Sequence, residues 1–132
     1  MTVIPDDLNR LVEQVIGAAI EVHRALGPGY LEKTYEEAMA HEFGLCTIAF
    51  ARQHSVAVVY KGHPCGDGKL DFLVEDRLIV ELKTIDRFAD IHTAQVMAYL
   101  KATRLDLALL LNFNVPAMRD GVKRVIRSSK SP

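Results

Sequence analysis

Cysteine is scarce in this chain: Cys46 and Cys65 are the only two in 132 residues. Two are too few for a disulfide framework, and a reduced, cytoplasmic setting is expected. Neither has a second cysteine close by, which argues against a zinc site. No apolar run approaches the ~20 residues of a transmembrane helix, so no membrane association is expected. Met1 to Asp7 lacks a basic start followed by an apolar stretch, so no signal peptide is expected. Internal repeats, low-complexity stretches, a Gly-rich phosphate loop and a nucleophile elbow are all missing. Strong charge of one sign is missing too, since the formal net charge is −1. That balance does not advertise nucleic-acid binding, but its distribution is uneven. Residues 6–44 hold eight acids against three bases, whereas residues 117–132 hold five bases (Arg119, Lys123, Arg124, Arg127, Lys130) against Asp120. A basic terminus can track phosphates, or simply keep that end solvated.

What remains is an ordinary globular composition, 49% hydrophobic and 25% charged, expected to form one domain over residues 1–127 with a disordered tail at 128–132. Pro5-Asp6-Asp7 opens a helix with Asp6 or Asp7 as cap. Leu8, Leu11, Val12, Val15, Ile16, Ala19, Ile20 and Val22 form its apolar stripe, and Gly27-Pro28-Gly29 stops it. A second helix is predicted from about Leu31 to Phe43, with Leu31, Tyr35, Ala38 and Met39 inward and Gly44 as cap. Strands are predicted from Ile48 to Tyr60, with an irregularity near His54-Ser55 and a turn at Lys61-Gly62. His63 to Asp67 reads as a connection or short edge segment. A hairpin covers Lys69 to Lys83. Asp90 caps a third helix to about Ala102, with Ala94, Met97, Ala98 and Leu100 apolar. Leu105 to Phe113 reads as a buried strand, and Val122 to Ile126 as an edge strand. A parallel crossover from Ile79 through the third helix to Leu111 is expected.

The hairpin carries the chemistry. Leu70, Phe72, Val74 and Leu78, Val80, Leu82 alternate and give one face to the core. The other face carries Asp71, Leu73, Ile79, Glu81 and Lys83. If the hairpin turns about Asp76, Asp71 lies across from Glu81, with Cβ atoms roughly 5 Å apart. Leu73 and Ile79 imply that this face is covered, and covered carboxylates without partners are costly. A divalent cation is the natural partner, because hard cations take carboxylate oxygens. Lys83 points at the same spot. The competing reading is a solvated pair of acids on an ordinary hairpin.

Gly29-Tyr30-Leu31-Glu32-Lys33-Thr34-Tyr35 has the form Gly-x-x-Glu-x-x-Tyr. It is followed in order by Val58-Val59-Tyr60-Lys61-Gly62, Asp71, Ile79-Val80-Glu81-Leu82-Lys83 and Gln95-x-x-x-Tyr99-Leu100. Leu111-Asn112-Phe113 and Asp120-Gly121-Val122-Lys123-Arg124-Val125 complete the series. The chain thus resembles the GxxExxY family, placed in the PD-(D/E)xK nuclease-like superfamily. The resemblance implies an α/β fold with a restriction-endonuclease-like core: a mixed β-sheet flanked by helices, here with two N-terminal helices. It also implies a metal-dependent phosphodiesterase.

By the same resemblance Asp71 and Glu81 are metal ligands, the backbone carbonyl of Leu82 adds a third oxygen, and Lys83 orients or deprotonates the attacking water. Glu32 matches the acid that completes the site from the first core helix, against a plain role at a helix start. Gln95 and Tyr99 share a helix face and resemble the Gln-x-x-x-Tyr element of RecB-like exonucleases, which borders the active site. The bland reading is that Tyr99 packs and Gln95 is surface. Tyr35 lies on nearly the same face as Glu32, either bonding a site carboxylate or packing, with packing favoured. The superfamily's proline before the aspartate is Leu70, and the usual arginine is Lys69, which keeps the charge but not the guanidinium fork.

Of the histidines, His23, His41, His54 and His63 form no ligand pair, and His92 is either a phosphate contact or, the favoured reading, a capping-turn or surface residue. His63-Pro64-Cys65 lacks the His-x-Glu and Cys-x-x-Cys of a zinc deaminase. The function expected is a Mg²⁺- or Mn²⁺-dependent nuclease acting on nucleic acid, with DNA favoured over RNA. The alternative is a catalytically silent nuclease-fold module that binds nucleic acid or a protein. A third reading is a homodimer through the basic C-terminal strand.

Overall fold

The computed structural model describes residues 3–127, so the tail expected at 128–132 lies outside it. The elements are helix α1 (Asp6–Leu26), helix α2 (Glu32–Leu45), strands β1 (Phe50–Tyr60), β2 (His63–Val74) and β3 (Leu78–Lys83), helix α3 (Asp90–Thr103), strand β4 (Leu107–Asn112), a 3₁₀ turn (Met118–Gly121) and strand β5 (Val122–Ile126). One mixed sheet runs in the order β1-β2-β3-β4-β5. All neighbours are antiparallel except β3 and β4, which are parallel across α3, as the crossover reading requires.

Helices lie on both faces, because the sheet is apolar on both. Phe72, Val74, Val80, Leu82, Leu109 and Leu111 join α1 and α2 in one core, with Val12, Val15, Tyr35, Met39 and Phe43. Leu73, Ile79, Ala108 and Leu110 join α3 in the other, with Val96 and Leu100. This is the mixed α/β, restriction-endonuclease-like core that the motifs implied. Among the described residues no helix is long and apolar enough to cross a membrane.

Several local expectations need correction. Neither Asp6 nor Asp7 caps α1: Pro5 holds that position, and Asp7 instead pairs with Arg77 at 2.6 Å. Leu31 precedes α2 and is 78% exposed, so Phe43 takes its expected place in the inner stripe. The helix runs through Gly44 to Leu45 and is capped at Cys46. In α3 the buried residues are Val96 and Leu100, while Ala94 and Ala98 face outward. Ala89, not Asp90, is its N-cap, and the ring of His92 accepts the Ala89 N–H at 2.9 Å, the capping role. His63 to Asp67 is no mere connection, because β2 runs unbroken from His63. With β1 it forms a long two-stranded arm reaching past the rest of the sheet. The basic C-terminal segment is partly engaged within the chain: Arg124 donates to Asn9 Oδ1, and Arg127 pairs with Asp106.

Candidate active site

The expected hairpin turns where the sequence places it. Glu75 and Asp76 both take left-handed φ, and the ladder pairs Val74 with Leu78, Leu73 with Ile79 and Phe72 with Val80. The next step would pair Asp71 with Glu81, but there the strands part. β2 continues into the arm beside β1, while β3 stays with β4 as far as the pairing of Lys83 with Asn112. Side chains take over the backbone's hydrogen bonds at this fork. The Asp71 N–H donates to Glu81 Oε2 at 2.7 Å, and the Leu82 N–H donates to Asp71 Oδ2 at 2.8 Å. These two bonds hold both acids in place between the strands they join.

Glu81 is only 4% exposed. Burial pushes its carboxyl up to about 8, and the Asp71 charge pushes the same way, against the Asp71 amide and Lys83. Glu32, at the start of α2, is also raised, first by partial burial, then by Asp71, with Lys83 opposing. Glu32 thus shares the field of Asp71 and Lys83 although it comes from the opposite layer. On the other side, Lys83 Nζ donates a long bond, 3.4 Å, to Gln95 Oε1 on α3. The fork is where both helical layers reach the same strands.

The donor set suits a hard divalent cation. Two neighbouring carboxyls, one of them buried, cannot both ionise cheaply without a positive partner, and Mg²⁺ needs only one or two carboxylates. Among the described residues, however, no three His, Cys, Asp or Glu side chains converge on one ion-sized position. Asp71 and Glu81 form the pair; Glu32 faces it without closing on it.

The remaining predicted residues fall into two groups. Tyr99 is half-buried beside the α3 core, its ring pressed on Gly68 of the arm, where an added Cβ would lie 2.5 Å from Cε1. Tyr35 is a packing residue. Its ring is buried and stacks on Phe113 at 4.5 Å, and its hydroxyl donates to the Gly27 carbonyl and accepts the Tyr30 N–H. It therefore ties down the loop that delivers Glu32, while its own hydroxyl is spent on that loop.

Two residues have roles that the sequence reading did not assign. Gln53 Nε2 donates to Asp71 Oδ1 at 3.3 Å and to Glu36 Oε1 at 2.6 Å. A hairpin turned on Lys61-Gly62, with Tyr60 facing His63, would set Arg52 across from Asp71. A one-residue bulge between Ala57 and Val59 advances the register and sets Gln53 there. No sequence signal marks that bulge. Asn112 is the second. It is 2% exposed, donates to the Ile85 carbonyl at 2.8 Å and accepts the Ile85 and Asn114 N–H groups, each at 3.1 Å. It fixes the chain just after Lys83; its place at the end of an apolar strand was the available hint.

An Asp facing a Glu-x-Lys where two strands of a mixed, helix-flanked sheet diverge defines a nuclease-like α/β core. The chain belongs to the PD-(D/E)XK nuclease superfamily, whose family model matches residues 9–125. Among solved structures, an alkaline exonuclease of Laribacter hongkongensis (LHK-Exo) is similar at 12% identity and a TM-score of 0.44, over 96% of this chain and 73% of that one. No curated protein matches the chain.

Proposed function

We propose that the protein is a Mg²⁺- or Mn²⁺-dependent nuclease that hydrolyses phosphodiester bonds, with DNA as the favoured substrate. The observation that carries this is the buried Glu81 beside Asp71, whose carboxyl is raised to about 8 with Lys83 close enough to oppose the shift. An acid strained in this way is a functional-site signature. Asp71 and Glu81 would hold the cation, with the Leu82 carbonyl and Glu32 as further oxygens. Such a cation, when bound, supplies water activation and polarises the phosphate. Lys83 places its ammonium where negative charge gathers on the phosphate and orients the attacking water. Gln95 steadies Lys83, and Tyr99 borders the path of the substrate.

Within the superfamily we assign the chain to the GxxExxY group, and each named residue has a physical task. Gly29 adopts φ +112°, which an L side chain rarely takes, Glu32 opens α2 toward the fork, and Tyr35 ties the loop. The same reading treats residues 1–127 as one domain in a reducing cytoplasm, which suits two exposed thiols. It leaves the β5 edge as the surface on which a second copy would pair; sedimentation at several concentrations tests that.

The decisive experiment is calorimetric titration of Mn²⁺ and Mg²⁺ into the protein and into the Asp71→Asn/Glu81→Gln double variant, followed by cleavage assays on single- and double-stranded nucleic acid. Binding by the parent alone is expected, with cleavage falling by about 10³-fold or more in the variant, as when a group acting on the transition state is lost. Unchanged cleavage by the variant would sink the nuclease reading at this site. Nucleic-acid binding without metal binding or cleavage would make the fold a silent module.

A further inference from the structure

We propose that Gln53 is the positioning residue of the carboxylate pair and keeps it open to a cation; this rests on the nuclease reading above. Gln53 sits near the start of β1 at φ +51°, a left-handed conformation uncommon for a side chain of its kind. Such strain persists only where the surroundings hold it, and here they do. Glu36 Oε1 takes one bond from the Gln53 amide, while Glu36 Oε2 is held by Arg52 Nε at 2.7 Å. Arg52 Nη2 reaches on to Glu37 at 2.6 Å. The Gln53 Nε2 also meets Asp71 Oδ1, and the Leu82 N–H meets Oδ2. One carboxylate plane is therefore fixed by donors from two different strands.

The identity of the donor matters as much as its position. Without the bulge between Ala57 and Val59, Arg52 would stand across from Asp71. A guanidinium there would pair with the carboxylate and compete with any cation. The bulge sends Arg52 to Glu36 and Glu37 on α2 and brings a neutral amide to Asp71 instead. An amide orients the oxygen and leaves its charge unspent. Partners of this kind, bonded to a metal ligand from behind, typically carry about 10- to 100-fold in metal affinity.

Two variants and a metal-free readout test this. Gln53→Gly removes the amide yet suits the left-handed backbone, so its melting temperature should stay near that of the parent. It should bind Mn²⁺ about tenfold more weakly by calorimetry. Gln53→Arg should lose more, because its guanidinium reaches Asp71. In metal-free protein the Leu82 amide resonance should shift in Gln53→Gly and stay put in the neighbouring Ser55→Ala. Parent-like Mn²⁺ affinity in both Gln53 variants, with an unmoved Leu82 amide, overturns the proposal. A parent that binds no Mn²⁺ while the Leu82 amide still shifts overturns the metal reading and leaves Gln53 as the residue that orients Asp71.

Discussion

Glu81 and Asn112 are both buried polar groups near the ends of adjacent parallel strands, yet the chain treats them in opposite ways. Asn112 is neutral, and its amide is matched by a carbonyl and two N–H groups from the loops around it. Both its oxygen and its nitrogen have partners. Glu81 is an acid set beside another acid, with one amide N–H and the Lys83 charge for compensation, and its proton is held to about pH 8. A buried polar group that is satisfied builds the fold, whereas one that is buried and strained marks where something else is meant to bind. The two regions touch through Lys83, whose carbonyl accepts the Phe113 N–H beside Asn112 and whose side chain leans toward Gln95.

Breaking the satisfied region should have the largest effect on stability. Asn112→Leu keeps the branched shape but takes the partner from the Ile85 N–H and the Asn114 N–H, while the Ile85 carbonyl keeps the Asn114 Nδ2 donor. At about 1–3 kcal/mol per stranded group, partly relieved by water at the exposed Asn114, the expected loss is about 3 kcal/mol in a denaturant titration. A loss below about 1 kcal/mol would show that the corner is held by packing and not by this amide.

The strained region should respond in the opposite direction. In metal-free buffer the folded chain keeps the Glu81 proton up to about pH 8, while the unfolded chain releases it near the ordinary 4.5. Between those values the folded state binds more protons, so stability falls as pH rises. Glu81→Gln mimics the protonated acid and should flatten that slope. At pH 8 it should gain about 2 kcal/mol over the parent, after allowing for coupling to Asp71 at 1.36 kcal/mol per pKa unit. Saturating Mn²⁺ should reverse the order, since binding needs the carboxylate, and parent affinity should climb from pH 6 to 8. Melting curves at pH 5 and 8, with and without Mn²⁺, check all three. A parent curve insensitive to pH over this range would remove the strain from Glu81.

Which parts of this were legible follows from how local each signal is. The hairpin about Asp76 was, because alternation of apolar residues sets a register and the register sets Asp71 toward Glu81. The helical layers and the parallel step were legible from periodicity and from the unbroken apolar run Leu107 to Leu111. Gln53 was hidden, because one extra residue in β1 changes which side chain meets Asp71. The continuation of β2 through His63–Asp67 was hidden too, since Gly66 and Gly68 read as loop residues. Helix caps failed where longer-range bonds won: Asp7 went to Arg77 and left Pro5 at the helix start.

The smallest effect is expected where the arm meets α3. The Asn112 corner is bonded to backbone groups, which cannot move aside; the arm closes on the Tyr99 ring, which can. Gly68→Ala would place a Cβ 2.5 Å from Tyr99 Cε1, so the ring has to swing. Because Tyr99 is only half-buried, the cost should be about 1 kcal/mol, a drop of a few degrees in melting temperature. The functional consequence separates two roles for Tyr99. If the ring borders the substrate path, displacing it should raise KM for nucleic acid severalfold while kcat stays near the parent value, since Lys83 and the carboxylates are untouched. If KM holds steady while the melting temperature falls, Tyr99 is packing alone, and the border of the site on the α3 side ends at Gln95.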